Sequence, residues 1–405
     1  MTADPKLAQQ EPEAFSLVSG GFFNAFLARI HLLREPVELL RERSLAVSAV
    51  TWLPLLILSW VEGNAFGPKV QLPFLLDVST HARFLLAIPL LFLADRFAYE
   101  RMPATVEQFR RRGIIETPEL PKLRAILNTG PRLTASIIPE LICLVAAFTL
   151  GHFVWAQAFS VGTSTWYGST IEGLHATKAG FWYEWVSLPF FRFLFFRWFF
   201  RLGVWAYILF KISRLPLHLR PSHPDGVGGL GFLNMVINIF YPIVVAWGVL
   251  LSGQIAMKLI SKGLLGSSRP TWADFKAFKF EGIGVLFIAL LFMVVPLLFF
   301  TPALLRARRI GLREYGALGA RYTREFDEKW IEGKAQDEPL IGSADIQSLA
   351  DLANSYYVVK KMGMVVIGRS AIVQLVLALA LPCTPLLLAV IPLADLLKHL
   401  VKFVL

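Results

Sequence analysis

Long apolar runs separated by short polar connections recur through the chain. They fall at about 45–61, 82–99, 137–159, 185–212, 232–256 and 283–305. Each is long enough, at 1.5 Å per residue, for a helix to cross much or all of the roughly 30 Å of hydrocarbon in a bilayer. A seventh run, 371–391, is also long enough. Pro382 and Pro385 divide it, so a re-entrant hairpin competes with a span. Near the start, Phe22, Phe26, Ile30 and Leu33 recur at helical spacing, with Phe23 and Leu27 beside them and Arg29 and Arg34 at the edge. That pattern predicts an amphipathic helix, either lying on a membrane or packed on the rest of the protein.

The fold class that follows is all-α: a polytopic membrane bundle of six or seven helices with a cytoplasmic N-terminus. The chain divides into a tail at 1–44, a six-span region at 45–305, a helical segment at 306–369 and a C-terminal helix or hairpin at 370–405. Almost every run carries a proline (Pro54, Pro89, Pro139, Pro189, Pro242, Pro296, Pro302, Pro382), which predicts bent helices. The tetrapeptide Pro89-Leu-Leu-Phe92 recurs as Pro296-Leu-Leu-Phe299, a weak sign of internal duplication. In the 306–369 segment, Ser343 reads as a helix cap, with Asp345 in the first turn and Lys360–Lys361 near the end. Ile346, Leu349, Ala353 and Tyr356 share one face, suited to a partner helix or a second copy of the chain.

Composition agrees with this pattern. The 405 residues are 55% hydrophobic and only 17% charged, with mean hydropathy +0.57, a balance suited to a bilayer rather than water. The net charge of +11 would by itself suggest nucleic acid. The arginines and lysines instead cluster between alternate apolar runs, the positive-inside pattern. This places the N-terminus and the 101–135, 211–229 and 306–369 segments in the cytoplasm, against five positive charges at 258–280. The expected location is the plasma membrane, of bacterial inner-membrane type. The expected partners are membrane lipids and further copies of the chain, not nucleic acid.

Three features could carry chemistry. The first is the loop His223-Pro-Asp-Gly-Val-Gly-Gly-Leu-Gly231, which satisfies GxGxxG. No strand precedes it and no acidic residue answers it about 20 positions on, so the dinucleotide reading fails. What remains is a nest of backbone N–H groups at Gly226, Gly228 and Gly229, with Arg214, Arg220, His223 and Asp225 nearby. It could hold an anion or a lipid head group. The alternative is a tight turn capped by Asp225.

The second feature is the arginine-bearing run around Arg192, Arg197 and Arg201. Arg197 and Arg201 suit snorkelling or head-group contact. Arg192 lies deeper and needs a counter-charge, with Glu140, Glu184 and Asp95 as candidates. The third is a polar stripe of Asn234, Asn238, Tyr241, Gly248 and Ser252, which would line a substrate path or form a helix–helix seam.

The two cysteines, Cys143 and Cys383, lie far apart inside apolar runs, and the histidines are scattered. Neither spacing supports a disulfide framework, a metal site or a haem, so no cofactor is expected. No nucleophile–base or paired-carboxylate motif points to an enzyme. The leading expectation is a channel or transporter for a small solute or ion, anions included. A membrane enzyme acting on a lipid phosphate and an oligomeric sensor or scaffold are the alternatives.

Overall fold

A computed structural model describes residues 15–18, 20–29, 40–158, 164–169, 175–261, 275–333, 339 and 342–386. The chain is all-α apart from a minute ribbon. Helix α1 is Phe22–Arg29, α2 Leu40–Val61, α3 Val78–Arg111, α4 Leu120–Ala135 and α5 Ile137–Ala158. Then come α6 at Lys178–Ile212, α7 at Tyr241–Ser261, α8 at Lys279–Met293 and α9 at Thr301–Phe326. Helices α10, Ala344–Lys361, and α11, Arg369–Leu386, complete the described chain. The ribbon pairs β1, Ser164–Thr165, with β2, Gly168–Ser169, and β2 with β3, His175–Ala176, all antiparallel.

Five helices (α2, α3, α6, α7 and α11) are long and apolar enough to cross a bilayer. The number rises to seven if each of two bent pairs is one span. One pair is α4 with α5, bent by 46°; the other is α8 with the helix beginning at Val295, bent by 41°. The centre of the bundle is α6 and α7, with 56% and 61% of their most apolar windows buried, against 33% for α2 and 17% for α11. The rim helices turn Trp60, Val61, Ile138, Ile142, Ile283, Phe287, Val373 and Leu377 outward, each more than half exposed. An apolar belt of that extent needs a non-aqueous covering.

The prolines occupy particular places. Helix α3 contains a π-helical turn at Ala82–Ala87, and Pro89 stands at the start of the α-helical segment after it. Helix α6 repeats the arrangement, with a π turn at Tyr183–Ser187 followed by Pro189. Pro296 and Pro302 likewise open new segments after breaks at Val294 and Phe300. In the first turn of a helix an N–H has no partner to lose, so proline restarts a helix there at little cost. Most of these prolines therefore mark segment starts, whereas Pro54, like Pro103 and Pro131 elsewhere in the chain, lies inside a helix.

Of the two readings of the N-terminal amphipathic segment, the described part matches packing on the rest of the protein: Phe15, Leu17 and Val18 are buried ahead of the short helix α1, which buries Phe23 and Leu27 in the core. Ile30, Leu33 and Arg34 lie outside the described residues. One expectation is corrected: the fifth apolar run is not one helix. It opens with a 3-10 turn, Leu230–Met235, continues in a single α turn, Val236–Ile239, and breaks at Phe240 before α7. The tighter winding shifts the phase of Asn234 and Asn238 relative to Tyr241 and Ser252.

Beyond the bundle, α9 and α10 pack antiparallel. Arg308 donates to the Lys360 carbonyl (2.9 Å) at one end and Tyr322 to the Asp345 carbonyl (3.2 Å) at the other. Ser343 Oγ accepts from the Asp345 N–H at 3.1 Å, the expected cap. Asp345 itself pairs with Lys329 and Trp330. Ile346 and Tyr356 remain exposed, so the face they share with Leu349 is only partly covered. Residues 387–405, the end of the expected C-terminal helix or hairpin, lie outside the described residues.

Helices α7 and α11 come so close that a Cβ on Gly248 would sit 2.2 Å from the Leu379 carbonyl oxygen, whereas one on Gly284 meets nothing within 4 Å. Gly248→Ala is expected to lower the thermal stability of the purified protein by about 1–3 kcal/mol. Gly284→Ala is expected to leave it unchanged or raise it by up to about 1 kcal/mol. Equal melting temperatures for the two variants would contradict the close crossing.

Candidate functional site

The charges of α6 are placed by its neighbours. Arg201 Nη1 lies 2.5 Å from Asp95 Oδ1 of α3. Arg197 Nε lies 3.0 Å from Glu140 Oε1 of α5, an ion pair whose N–H does not point along the line of contact. All four side chains are buried or nearly so. The N-terminal segment closes the cluster. The Phe23 N–H donates to Glu140 Oε2 at 3.0 Å, Arg201 reaches the Val18 carbonyl at 3.5 Å, and the Phe23 ring lies 5.0 Å from the Arg197 guanidinium. Arg43 of α2 is buried beside the same charges. Arg197 and Arg201 are thus internal ion-pair partners, and the expectation that they snorkel or meet lipid is corrected. A carboxylate within reach removes the need to snorkel.

Arg192 has a different setting. Two of its three candidate counter-charges, Glu140 and Asp95, are taken by Arg197 and Arg201. Glu184 lines the same cavity, of about 400 Å³, together with Phe148, Thr149 and Trp185. Among the described residues Arg192 makes no hydrogen bond and no ion pair. The π turn of α6 carries Glu184 and Trp185, and it faces the π turn of α3. Arg83 of that turn donates to Tyr183 Oη at 2.6 Å, and the Phe84 and Tyr183 rings meet edge to face at 6.1 Å. Wide turns of this kind recur at functional sites because they displace side chains from the regular helical register.

The polar stripe is engaged with α11. Tyr241 donates to Gln374 Oε1 at 2.6 Å, Ser252 donates to the Pro382 carbonyl at 2.7 Å, and Gly248 lies between them against Leu379. This is the geometry of a helix–helix seam. Asn234 and Asn238 sit on the two short turns ahead of α7, half-buried, and the Asn234 side-chain carbonyl has no partner among the described residues. Tyr241, Gly248 and Ser252 are thus engaged by α11, and Asn234 and Asn238 stand on the turns before α7.

The glycine loop forms a nest, and the anion in it belongs to the chain. Asp225 Oδ1 accepts from the N–H groups of Val227 (3.0 Å) and Gly229 (3.1 Å), and Oδ2 from that of Gly231 (2.8 Å). Gly228 and Gly229 take φ of +66° and +99°, which turns these amides inward; Gly226 is also left-handed, at +68°. His223 Nδ1 is 2.9 Å from Asp225 Oδ1. Arg214 stacks on Phe210 and Arg220 is exposed, so neither converges on the nest. The residue that does converge is Arg112, at the end of α3, which donates to the Gly229 carbonyl at 3.2 Å and lies 3.9 Å from Asp225 Oδ2. Nothing in the sequence separates Arg112 from the other positive charges at 101–132. The loop also binds the chain after α10, through the Gly363 N–H to the Gly226 carbonyl at 2.7 Å.

At the other end of the bundle, Asp77 plays a similar part. It accepts from the Thr80 N–H, the Thr80 hydroxyl (2.7 Å) and the indole N–H of Trp166 (3.1 Å). Trp166 is fully buried, and its backbone N–H bonds to the Leu72 carbonyl, which ties the ribbon to the preceding loop. No group of three or more metal-ligating side chains occurs among the described residues. Comparison with protein-family models, with curated proteins and with solved structures returns no match for this chain.

Two outcomes test these assignments. Burial alone would raise the pKa of Asp225, but three backbone donors and His223 outweigh it and hold the carboxyl below its usual range. A lowered folded-state pKa stabilises fully above the ordinary carboxylate range and is lost as pH falls through it. Asp225→Asn should therefore cost about 1–3 kcal/mol at neutral pH. The gap to the wild type should close below about pH 4; a gap independent of pH would refute the assignment. For the buried pair, Arg201→Met and Asp95→Leu alone should each cost about 3–5 kcal/mol, and the double variant clearly less than their sum. Additive losses would show that the two side chains do not interact.

Proposed function

We propose that the chain is a multi-pass protein of the bacterial plasma membrane, with a cytoplasmic N-terminus, acting as a channel or transporter for a small anionic solute. The observation carrying this reading is Arg192. It is a guanidinium half-buried within an apolar helix, without a paired carboxylate among the described residues, at the wall of a cavity of about 400 Å³. A charge so placed in hydrocarbon is disfavoured by at least about 2.5 kcal/mol, and such residues are retained where they meet a substrate or an ion. The outward apolar belt and the length of the five apolar helices support the membrane reading, and the clustering of Arg and Lys between alternate runs supports the orientation. The path in this reading runs along the flank between α5 and α6. It does not follow the stripe on α7, whose hydroxyls are engaged by α11.

The reading is tested with purified protein in proteoliposomes, assayed for uptake of chloride, phosphate, glycerol phosphate and small carboxylates. Wild type should transport at least one of these anions. Arg192→Leu should reduce that flux by about tenfold or more, the scale of one lost charge–charge contact, and Arg192→Lys should retain part of it. Equal flux through wild type and Arg192→Leu, at equal reconstitution, would refute the role.

A further inference from the structure

The mouth of the Arg192 cavity bears on which anion it takes. Two of its walls, Phe148 and Trp185, are 40% and 49% exposed on the outer surface of the bundle, continuous with the apolar residues Leu141, Ile142, Val145 and Phe181. The cavity thus opens sideways through the belt that needs a non-aqueous covering. Arg192 lies seven residues beyond Trp185, about 10 Å further along the helix. A small hydrated anion reaching this point would have to shed its water against apolar walls, with one guanidinium as compensation. An amphiphile would not, because its chains already lie in hydrocarbon and only its head group must move inward.

From this geometry we infer that the Arg192 cavity takes the anionic phosphate head group of a lipid-like amphiphile, entering from the bilayer between α5 and α6. The volume falls in the ordinary range for a ligand pocket, enough for a glycerophosphate head and the start of its chains. Arginine suits this task better than lysine, since its planar fork meets two phosphate oxygens at once. Arg83, held nearby by Tyr183, adds a second positive charge to the field at the cavity, against the one carboxylate on its wall, Glu184. Phe148 and Trp185 supply apolar wall for the chains. This inference rests on the Arg192 site proposed above but makes the anion there a lipid head group in place of a small soluble one, so its confirmation would take the small-solute role away from this cavity.

The test is the melting temperature of the detergent-purified full chain with added dioleoylphosphatidylglycerol, dioleoylphosphatidylcholine, glycerol phosphate or inorganic phosphate. Phosphatidylglycerol should raise the melting temperature by about 4 °C or more, well beyond phosphatidylcholine, while the two soluble phosphates should not. The shift should vanish in Arg192→Gln and also in Thr149→Trp, which fills the cavity while keeping the arginine. It should persist in Arg101→Gln, an exposed arginine elsewhere on the protein. A shift equally produced by glycerol phosphate or inorganic phosphate would make the ligand a soluble anion and overturn the inference. So would the absence of any preference for phosphatidylglycerol, or a shift undiminished in both cavity variants. A shift that meets these conditions, with flux insensitive to Arg192, would leave the binding site standing and remove transport, so the two proposals fail separately.

Discussion

Most of the bundle's arrangement follows from one requirement, the neutralisation of arginines inside an apolar helix. Arg197 and Arg201 are one turn apart on α6, about 40° apart around its axis, yet they pair with carboxylates on two different helices. That is possible only if α3 and α5 flank α6 with Asp95 and Glu140 at matching depth. In a low-dielectric interior an error of one helical turn would strand all four charges. The pairs therefore set rotation and register as well as proximity, a specificity that apolar packing on three phenylalanine-rich surfaces would leave loose. The N-terminal segment belongs to the same solution, because it supplies the N–H and the carbonyl that the two pairs leave unsatisfied.

Carboxylates serve elsewhere as fasteners for backbone donors. Asp77 gathers a helix start and an indole at one end of the bundle, and Asp225 gathers three amides of a glycine turn at the other. Each ties together segments that no regular element joins. Asp77 links the 64–77 loop to the ribbon, and the Asp225 turn links the end of α3 to the segment before α11. With these acids engaged inward, Arg192 stands out as a cation whose candidate carboxylates are largely committed to other residues.

Much of the fold is legible in the sequence because long apolar runs report directly on helix length. The apolar runs fall on helices, although the fifth and sixth are each broken into shorter segments, and the Ser343 cap is where its spacing puts it. Periodicity failed where winding changed. Asn234 and Asn238 were assigned to one stripe with Ser252 on the assumption of 100° per residue, and the 3-10 turn at Leu230–Met235 breaks that phase. Pairing was illegible for a different reason. The sequence offers Asp95, Glu140 and Glu184 to Arg192 and no carboxylate to Arg197 or Arg201, and only the packing of three helices gives Asp95 to Arg201 and Glu140 to Arg197. The Asp225 nest was half legible, since the glycines announced inward amides, but whether an outside anion or the preceding aspartate fills them depends on a side-chain rotamer.

The order of the ion-pair partners along the chain has a consequence for assembly. Val18 and Phe23, then Asp95, then Glu140, are all synthesised before Arg197 and Arg201. As α6 emerges from the ribosome, the groups that neutralise its charges already exist, and chains are completed from the N-terminal end. The most charged of the central helices thus arrives as a latecomer to a prepared slot. The chain's linear order works as an assembly schedule, in which both acids are in place before the two α6 arginines they neutralise.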